Sequence, residues 1–334
     1  MEKKINWGIL STAQIGLNKI IPAMQKGKYS NVYAICSRDL KKARAAAEQF
    51  GIPKAYGSYE ELLEDDDIQA VYIPLPNHLH YEWTVKAMKA GKHVLCEKPL
   101  VLSVKEAEKL IALRDSCGVK AGEAFMVASH PQWSGVKRLF KDGTIGTLRT
   151  IQGGFCFYTD DPANIRNIKE FGGGAIFDVG CYPLMVSRMI LGEEPVRLLV
   201  NADIDPRFGT DRSASLIVEF PSCTLSYVTS TQMAPFQHMS FIGTERVIDI
   251  PQPFNPPSDE KTRIFVTEGA LGYEETSEIV IPPCDHYTLQ GDEFSKAILE
   301  DTKETVPLEN ALAMARVYEA VVRSITVHGW ADVQ

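Results

Sequence analysis

The sequence predicts an α/β Rossmann domain, a doubly wound parallel sheet, followed by an α+β domain with a large, mainly antiparallel, open-faced sheet. Two observations carry this. From Ile5 to about Gly122 apolar strand-like runs alternate with amphipathic helical runs, the grammar of strand, crossover helix and parallel strand. After about Phe125 strand-like runs follow one another across short turns, the pattern of an antiparallel sheet. With 334 residues, 45% hydrophobic and 23% charged, the chain suffices for two cores, and the change in pattern sets the domains at 1–123 and 124–334.

In chain order, the first half reads as strand Asn6–Leu10, helix Ile15–Lys26, strand Val32–Cys36, helix Leu40–Phe50 and strand Ala70–Pro74. Helix His80–Ala90, strand His93–Glu97, helix Val104–Cys117 and a strand near Lys120–Ala124 complete it. Ser103 stands at an N-cap position with Glu106 three residues on, and Gly91 and Gly118 follow helices as C-terminal glycines do. In the second half one helix, near Ala175–Leu191, interrupts the strands Leu148–Tyr158, Val196–Asp203, Ala214–Phe220, Thr224–Thr231, His238–Ile242, Arg246–Ile250, Arg263–Glu268 and Ser277–Ile281. Two closing helices, His286–Leu299 and Leu308–Val327, are assigned to this second domain.

Composition excludes several function classes. The net charge of −8 arises from 43 acids and 35 bases mixed along the chain, so there is no basic stripe for nucleic acid. The acidic run around Glu60–Asp67 reads as a solvated helix end. Seven cysteines without a Cys-x-x-Cys pair indicate neither a disulfide framework nor a thiolate zinc site. The N-terminus has no apolar signal core and no stretch approaches the ~20 apolar residues of a membrane span, so a cytoplasmic protein without membrane partners is expected.

Four segments carry chemistry. The turn after the first strand reads Gly8-Ile-Leu-Ser11-Thr12-Ala13-Gln14-Ile15-Gly16, where backbone amides and a helix N-terminus would meet a dinucleotide pyrophosphate. The glycine fingerprint is degraded, since its three key places fall on Ser11, Ala13 and Gly16; a plain structural turn is the alternative. At the end of the next strand, Ser37 and Arg38 replace the acidic residue that would bind a ribose 2′-hydroxyl, and Arg38 can stack on adenine and pair with a 2′-phosphate. NADP is therefore favoured over NAD, with Asp39 as a mild electrostatic obstacle. Glu97-Lys98-Pro99 and the segment from Pro74 to His80, with Asn77, His78 and His80, deliver cation, amide and imidazole groups to the carboxyl edge of the parallel strands. His78 and His80 lack a third ligand for a metal, and Asn77 reads more readily as a helix N-cap. Finally, Gly172-Gly173-Gly174 leads to Asp178 and Tyr182, four apart and on one face of a helix, with Pro183 implying a kinked or late first turn.

Together these motifs resemble the Gfo/Idh/MocA family, that of glucose-fructose oxidoreductase and inositol dehydrogenase, over nearly the whole chain. The Asp161-Pro-Ala-Asn164-Ile-Arg166 run, Ser11-Thr12-Ala13, and Tyr182 where many members carry His resemble the branch of D-xylose dehydrogenase and dimeric dihydrodiol dehydrogenase, which mostly uses NADP. The resemblance implies that Lys98 holds the reacting oxygen and, as a cation, favours ionisation of Tyr182, the general acid/base. It implies that Asp178 orients substrate hydroxyls and that a hydride moves between the nicotinamide and a hydroxyl-bearing carbon of a sugar, polyol or diol, without metal. Ser11 to Ile15, Ser37, Arg38, Pro74, Asn77, His80, Glu97 and Lys98 are then the cofactor-binding candidates. Lys98, Arg166, Asp178 and Tyr182 are those for substrate. One departure concerns Val127 and Ala128, which replace the family's aromatic residue and arginine before His130-Pro131-Gln132; Arg166 is offered as compensation, or as a structural ion pair. A non-catalytic NADP and sugar sensor, and a lyase or hydrolase working through transient oxidation with tightly held NAD, are the alternatives. A homodimer or homotetramer through the second domain's sheet is expected, since that sheet would otherwise expose a large apolar face.

Overall fold

A computed structural model of the chain describes residues 3–268 and 276–334. It divides into two compact units, Met1–Ser129 with Asp285–Leu312, and His130–Cys284 with Ala313–Gln334.

The first unit is built on six strands, β1 (Ile5–Leu10), β2 (Ser30–Cys36), β3 (Lys54–Tyr56), β4 (Ala70–Ile73), β5 (His93–Glu97) and β6 (Ala121–Ala124). They pair in parallel in the order β3-β2-β1-β4-β5-β6. The central strands are buried on both faces, which is why Ile5, Trp7, Ile9 and Leu10 read as a nearly continuous apolar run. Helix Leu40–Phe50 starts where the Asp39 carboxylate accepts the Lys41 amide and stops at Gly51 with φ 64°. Helix Val104–Cys117 starts on Ser103 and stops at left-handed Gly118, as expected. Helix Asn77–Lys89 instead begins at Asn77 itself with Pro76 at the cap position, so the capping role considered for Asn77 is not the one it has.

The closing helix His286–Glu300 belongs to this unit and not to the second. The indole of Trp7 on β1 donates to Ser295 Oγ at 2.9 Å, Phe294 packs on the Trp7 ring, and Asp292 accepts the amides of Lys28 and Tyr29 at 2.7 and 2.8 Å. Sequence order and spatial order part company here, because the chain returns to its first core from Asp285 to Leu312 before its last residues rejoin the second unit.

The second unit holds β7 (Leu148–Tyr158), β8 (Arg197–Ile204), β9 (Asp211–Glu219), β10 (Thr224–Ser230), β11 (Gln232–Gly243), β12 (Arg246–Ile250), β13 (Thr262–Glu268), β14 (Thr276–Ile281) and β15 (Ala331–Asp332). Their order is β14-β13-β12-β11-β7-β10-β9-β8-β15, antiparallel except for β7 beside β10. One face buries Ile151, Leu216, Val218, Leu225 and Phe241, while Ile204, Ile217, Phe236 and Val280 remain exposed. Four elements escape the sequence reading: β3 and helix Tyr59–Leu63 in the first unit, and helix Gln132–Lys141 and the short strand β15 here. The segment Lys169–Leu191 is, contrary to expectation, long and apolar enough to pass for a membrane span, but it is broken into 3-10, π and α turns and is 78% buried inside the protein.

Candidate active site

In the first unit the turn after β1 is held by Ser11, whose φ of 123° lies where side chains other than glycine are rare. Its hydroxyl accepts the Ala13 amide at 3.2 Å, so the residue that replaces the fingerprint's first glycine adopts a glycine-like conformation and secures it with its own side chain. The helix that follows opens with a π turn, Gly16–Ile20, before α residues Ile21–Gln25, and no side chain caps its start. The first-turn amides of Gln14 and Ile15 therefore face outward as donors, beside Thr12 and Ala13. At the end of β2 the Ser37 hydroxyl accepts the Asp39 amide at 3.2 Å and keeps its own O–H to donate, and Asp39 Oδ1 accepts the Lys41 amide as a helix cap. Arg38 is exposed, with a hydrogen bond to Tyr59, and its charge opposes the rise that burial gives the Tyr59 hydroxyl.

At the carboxyl edge of β4 and β5 the fold ties the loops together. Glu97 accepts a hydrogen bond from the buried hydroxyl of Tyr72 on β4 and one from the Lys98 amide at 3.3 Å. The Lys98–Pro99 peptide is cis. His80 is 1% exposed, and its ring nitrogens lie 2.7 Å from the Pro99 carbonyl and 2.6 Å from the Leu75 carbonyl. Burial holds this imidazole down to about 4. A neutral imidazole donates through only one ring nitrogen, so His80, a cofactor candidate by sequence, ties one of these carbonyls and packs against the other, between the loops that carry Pro74 and Lys98. Glu123, which sequence reasoning passed over, does the same from β6, accepting the amide of Leu100 and the side chain of Asn310, each at 2.9 Å. An acidic residue inside an apolar strand was the available signal. Val127, in place of the family's aromatic residue, is fully buried in this unit, and Ala128 is half-buried.

In the second unit the triple glycine makes a tight wrap. Gly172 has φ 75° and Gly174 φ 119°, while a side chain on Gly173 would strike the Arg166 carbonyl, which accepts the Gly174 amide at 2.9 Å. The wrap leads into a π turn, Ile176–Gly180, that precedes α residues Cys181–Leu191. Pro183 explains it: a proline cannot donate to the preceding turn and its ring crowds the carbonyl four residues back, so the turn widens. The Cys181 thiol donates to the Asp178 carbonyl at 3.3 Å. Arg166 Nε lies 2.5 Å from Asp178 Oδ2, so two of the sequence-predicted substrate residues form an ion pair, and the guanidinium also lies over the Phe157 ring. Tyr182, 5% exposed, packs against the stacked rings of Phe155 and Phe254, with ring centroids 5.4 and 5.6 Å away.

Two family models cover most of the chain: the oxidoreductase family with an NAD-binding Rossmann fold over residues 5–125, and the GFO/IDH/MocA C-terminal domain over 133–271. The chain belongs to the Gfo/Idh/MocA oxidoreductase family. Within it, an uncharacterized oxidoreductase of Rhizobium meliloti, ORF334, is 43% identical over 98% of this chain and 99% of its own length. A D-xylose 1-dehydrogenase (NADP(+)) of Haloferax volcanii is 34% identical over 95% of this chain and 96% of its own. The crystal structure of KijD10, a 3-ketoreductase from Actinomadura kijaniata in complex with NADP and TDP-benzene, superposes with a TM-score of 0.89 at 28% identity, covering 96% of this chain and 98% of that one. The protein is thus an oxidoreductase with the family's Rossmann domain and antiparallel C-terminal sheet.

Proposed function

We propose that this member of the family is an NADP-dependent dehydrogenase or reductase that moves a hydride between the nicotinamide and a hydroxyl-bearing carbon of a sugar, polyol or diol. The observation that carries the reading is the corner at the end of β2, where Arg38 is exposed and Asp39 is occupied as a cap. A ribose 2′-phosphate finds a cation there, while one oxygen of the neighbouring Asp39 carboxylate is engaged by the Lys41 amide. The residues around the phosphate turn fit a dinucleotide: an uncapped helix start, outward amides at Gln14 and Ile15, and a Ser11 turn already in the required conformation. The xylose dehydrogenase named for NADP(+) and the reductase crystallised with NADP support the same cofactor.

When bound, the nicotinamide supplies hydride chemistry. Lys98 holds the reacting oxygen by hydrogen bond and stabilises negative charge on it; Tyr182 exchanges the hydroxyl proton; Asp178 accepts from neighbouring substrate hydroxyls. The Arg166–Asp178 ion pair aims that carboxylate, which makes Arg166 a positioning residue for substrate. Fluorescence titration with NADP and NAD, followed by reduced-cofactor absorbance on a panel of aldoses, polyols and diols, tests the reading. Tight NADP binding with turnover is expected. Tyr182→Phe should keep NADP affinity within about twofold, and Lys98→Ala and Tyr182→Phe should each lose roughly 100-fold or more in kcat. Absence of binding to either cofactor overturns it.

We also infer a cytoplasmic homodimer or homotetramer assembled on the open face of the second unit's sheet. That face exposes Ile204, Ile217, Phe236 and Val280 around a shallow groove of about 500 Å³ lined by Gln152, Ile242, Val247 and Phe265. Sedimentation at micromolar concentration reads the state directly; a monomer overturns it.

A further inference from the structure

We propose that Asp211, at the start of β9, is a positioning residue for the reaction: its carboxylate anchors the first turn of the helix that carries Asp178 and Tyr182. The inference rests on the function proposed above for those two residues.

The geometry is specific. Asp211 Oδ2 accepts the Ile176 amide at 2.8 Å, and the amides of Ala175 and of Asp211 itself also hold its charge. Those are the orphan donors of a helix start that no residue of its own segment caps. The other oxygen, Oδ1, occupies the space a Cβ would need at Gly174, so the third glycine of the triple-glycine run is what lets the strand carboxylate reach the helix. A second tie comes from the neighbouring strand, where Thr229 Oγ1 donates to the Ala175 carbonyl at 3.2 Å and Gly180 packs against the Thr229 methyl. The π turn begins immediately after these contacts, and Asp178 is its third residue. Its path, and with it the direction of Asp178 and the entry into Tyr182, is set by where Ala175 and Ile176 are pinned.

A neutral cap would serve stability better. Although the residue as a whole keeps some surface, desolvation of its carboxyl group raises Asp211 from the ordinary carboxylate range to about 7, against the pull of its three amides. The groups that face it are the buried hydroxyl of Tyr227 on β10, whose own ionisation Asp211 opposes, and Cys181 beyond it; Arg212 beside it is turned to Asp203. No charged side chain among the described residues is among the causes of its shift. Protonation removes an acceptor from the helix start, so the anchor is complete above about pH 7 and weakened below it.

Four readouts test the proposal in the full-length protein. Asp211→Ala and Gly174→Ala are expected to lower kcat at least tenfold while leaving NADP affinity within twofold. Asp211→Asn, which keeps one acceptor oxygen, is expected to recover to within about threefold of wild type and to lose the fall in kcat that wild type shows below about pH 7. Hydrogen exchange at the Ile176 amide should show protection that declines below about pH 7 in wild type and is pH-independent in Asp211→Asn; this arm needs no substrate and no turnover. Wild-type kcat in Asp211→Ala, or an unchanged pH profile and unchanged Ile176 protection in Asp211→Asn, overturns the proposal. If Asp211→Ala does not fold, the Asn variant and the exchange measurement still decide. Failure of the dehydrogenase reading shows separately, as a wild-type protein without turnover whose Ile176 protection still follows the carboxyl group.

Discussion

Ser11 sets conformational strain against a hydrogen bond on one residue. Its φ of 123° costs on the order of 1–3 kcal/mol for a side chain other than glycine. The bond from the Ala13 amide to its hydroxyl returns about 1 kcal/mol. The two changes available at this position separate these terms. Ser11→Ala keeps the strain and loses the bond, and should unfold about 1 kcal/mol more easily in urea. Ser11→Gly loses the bond but also the strain, and should be at least as stable as the alanine variant despite glycine's larger unfolded-state entropy. An alanine variant more stable than the glycine variant would show that the turn relaxes out of this conformation. On the proposed function a phosphate-binding turn needs that backbone, and the hydroxyl secures it with a bond where glycine would adopt it without strain.

Both helices that begin at candidate binding turns open with a π turn followed closely by a proline, Gly16–Ile20 before Pro22 and Ile176–Gly180 before Pro183. Pro183→Ala restores the missing amide and relieves ring crowding, an interior-proline cost of about 3 kcal/mol at most sites. The expected result is a higher unfolding midpoint with kcat reduced roughly tenfold or more, because closing the π turn to α rotates Asp178 against Tyr182. A gain in stability without loss of turnover would mean that the wide turn has no part in the chemistry. The proline was visible in the sequence as a kinked start; the π turn was not, since it depends on which donors the neighbouring strands offer. The same division runs through the fold. Helices Leu40–Phe50 and Val104–Cys117 and strands Leu148–Tyr158 and Arg246–Ile250 were legible to the residue, because caps, glycines and alternation are local. Helix Gln132–Lys141 was not, because Pro131, Ser134 and Gly135 read as a turn and its apolar stripe of Trp133, Val136 and Leu139 shows only against a partner. The Asp178–Tyr182 spacing could be read; Asp211 could not, being a single acid whose partners are backbone amides far along the chain, and the signal at Glu123, an acid inside an apolar strand, named no partner.

At the scale of the whole molecule, buried titrating groups in both units set how stability depends on pH, and they act in opposite directions. His80 and His130 are 1% and 2% exposed, and burial holds each down to about 4. An unfolded histidine binds its proton near pH ~6.5, so between there and about 4 the unfolded chain binds more protons and folding weakens as pH falls. A shift of this size corresponds to about 3 kcal/mol per residue over the full window. Asp211 is raised to about 7, so in much the same window the folded chain binds the extra proton and acidification favours folding. The wild-type slope is the difference between these, and single substitutions should pull it apart. His80→Gln, which can still donate to one of the two carbonyls, should be less stable at pH ~7 and lose less on going to pH ~5. Asp211→Asn should be at least as stable as wild type at pH ~8 and lose more on acidification, because the compensating group is gone. Urea denaturation of the three proteins at about pH 5, 6, 7 and 8 measures both slopes. Changes of the same sign in the two variants would mean that these buried groups do not govern the acid limb, and that exposed carboxylate pairs such as Arg197–Glu219 do.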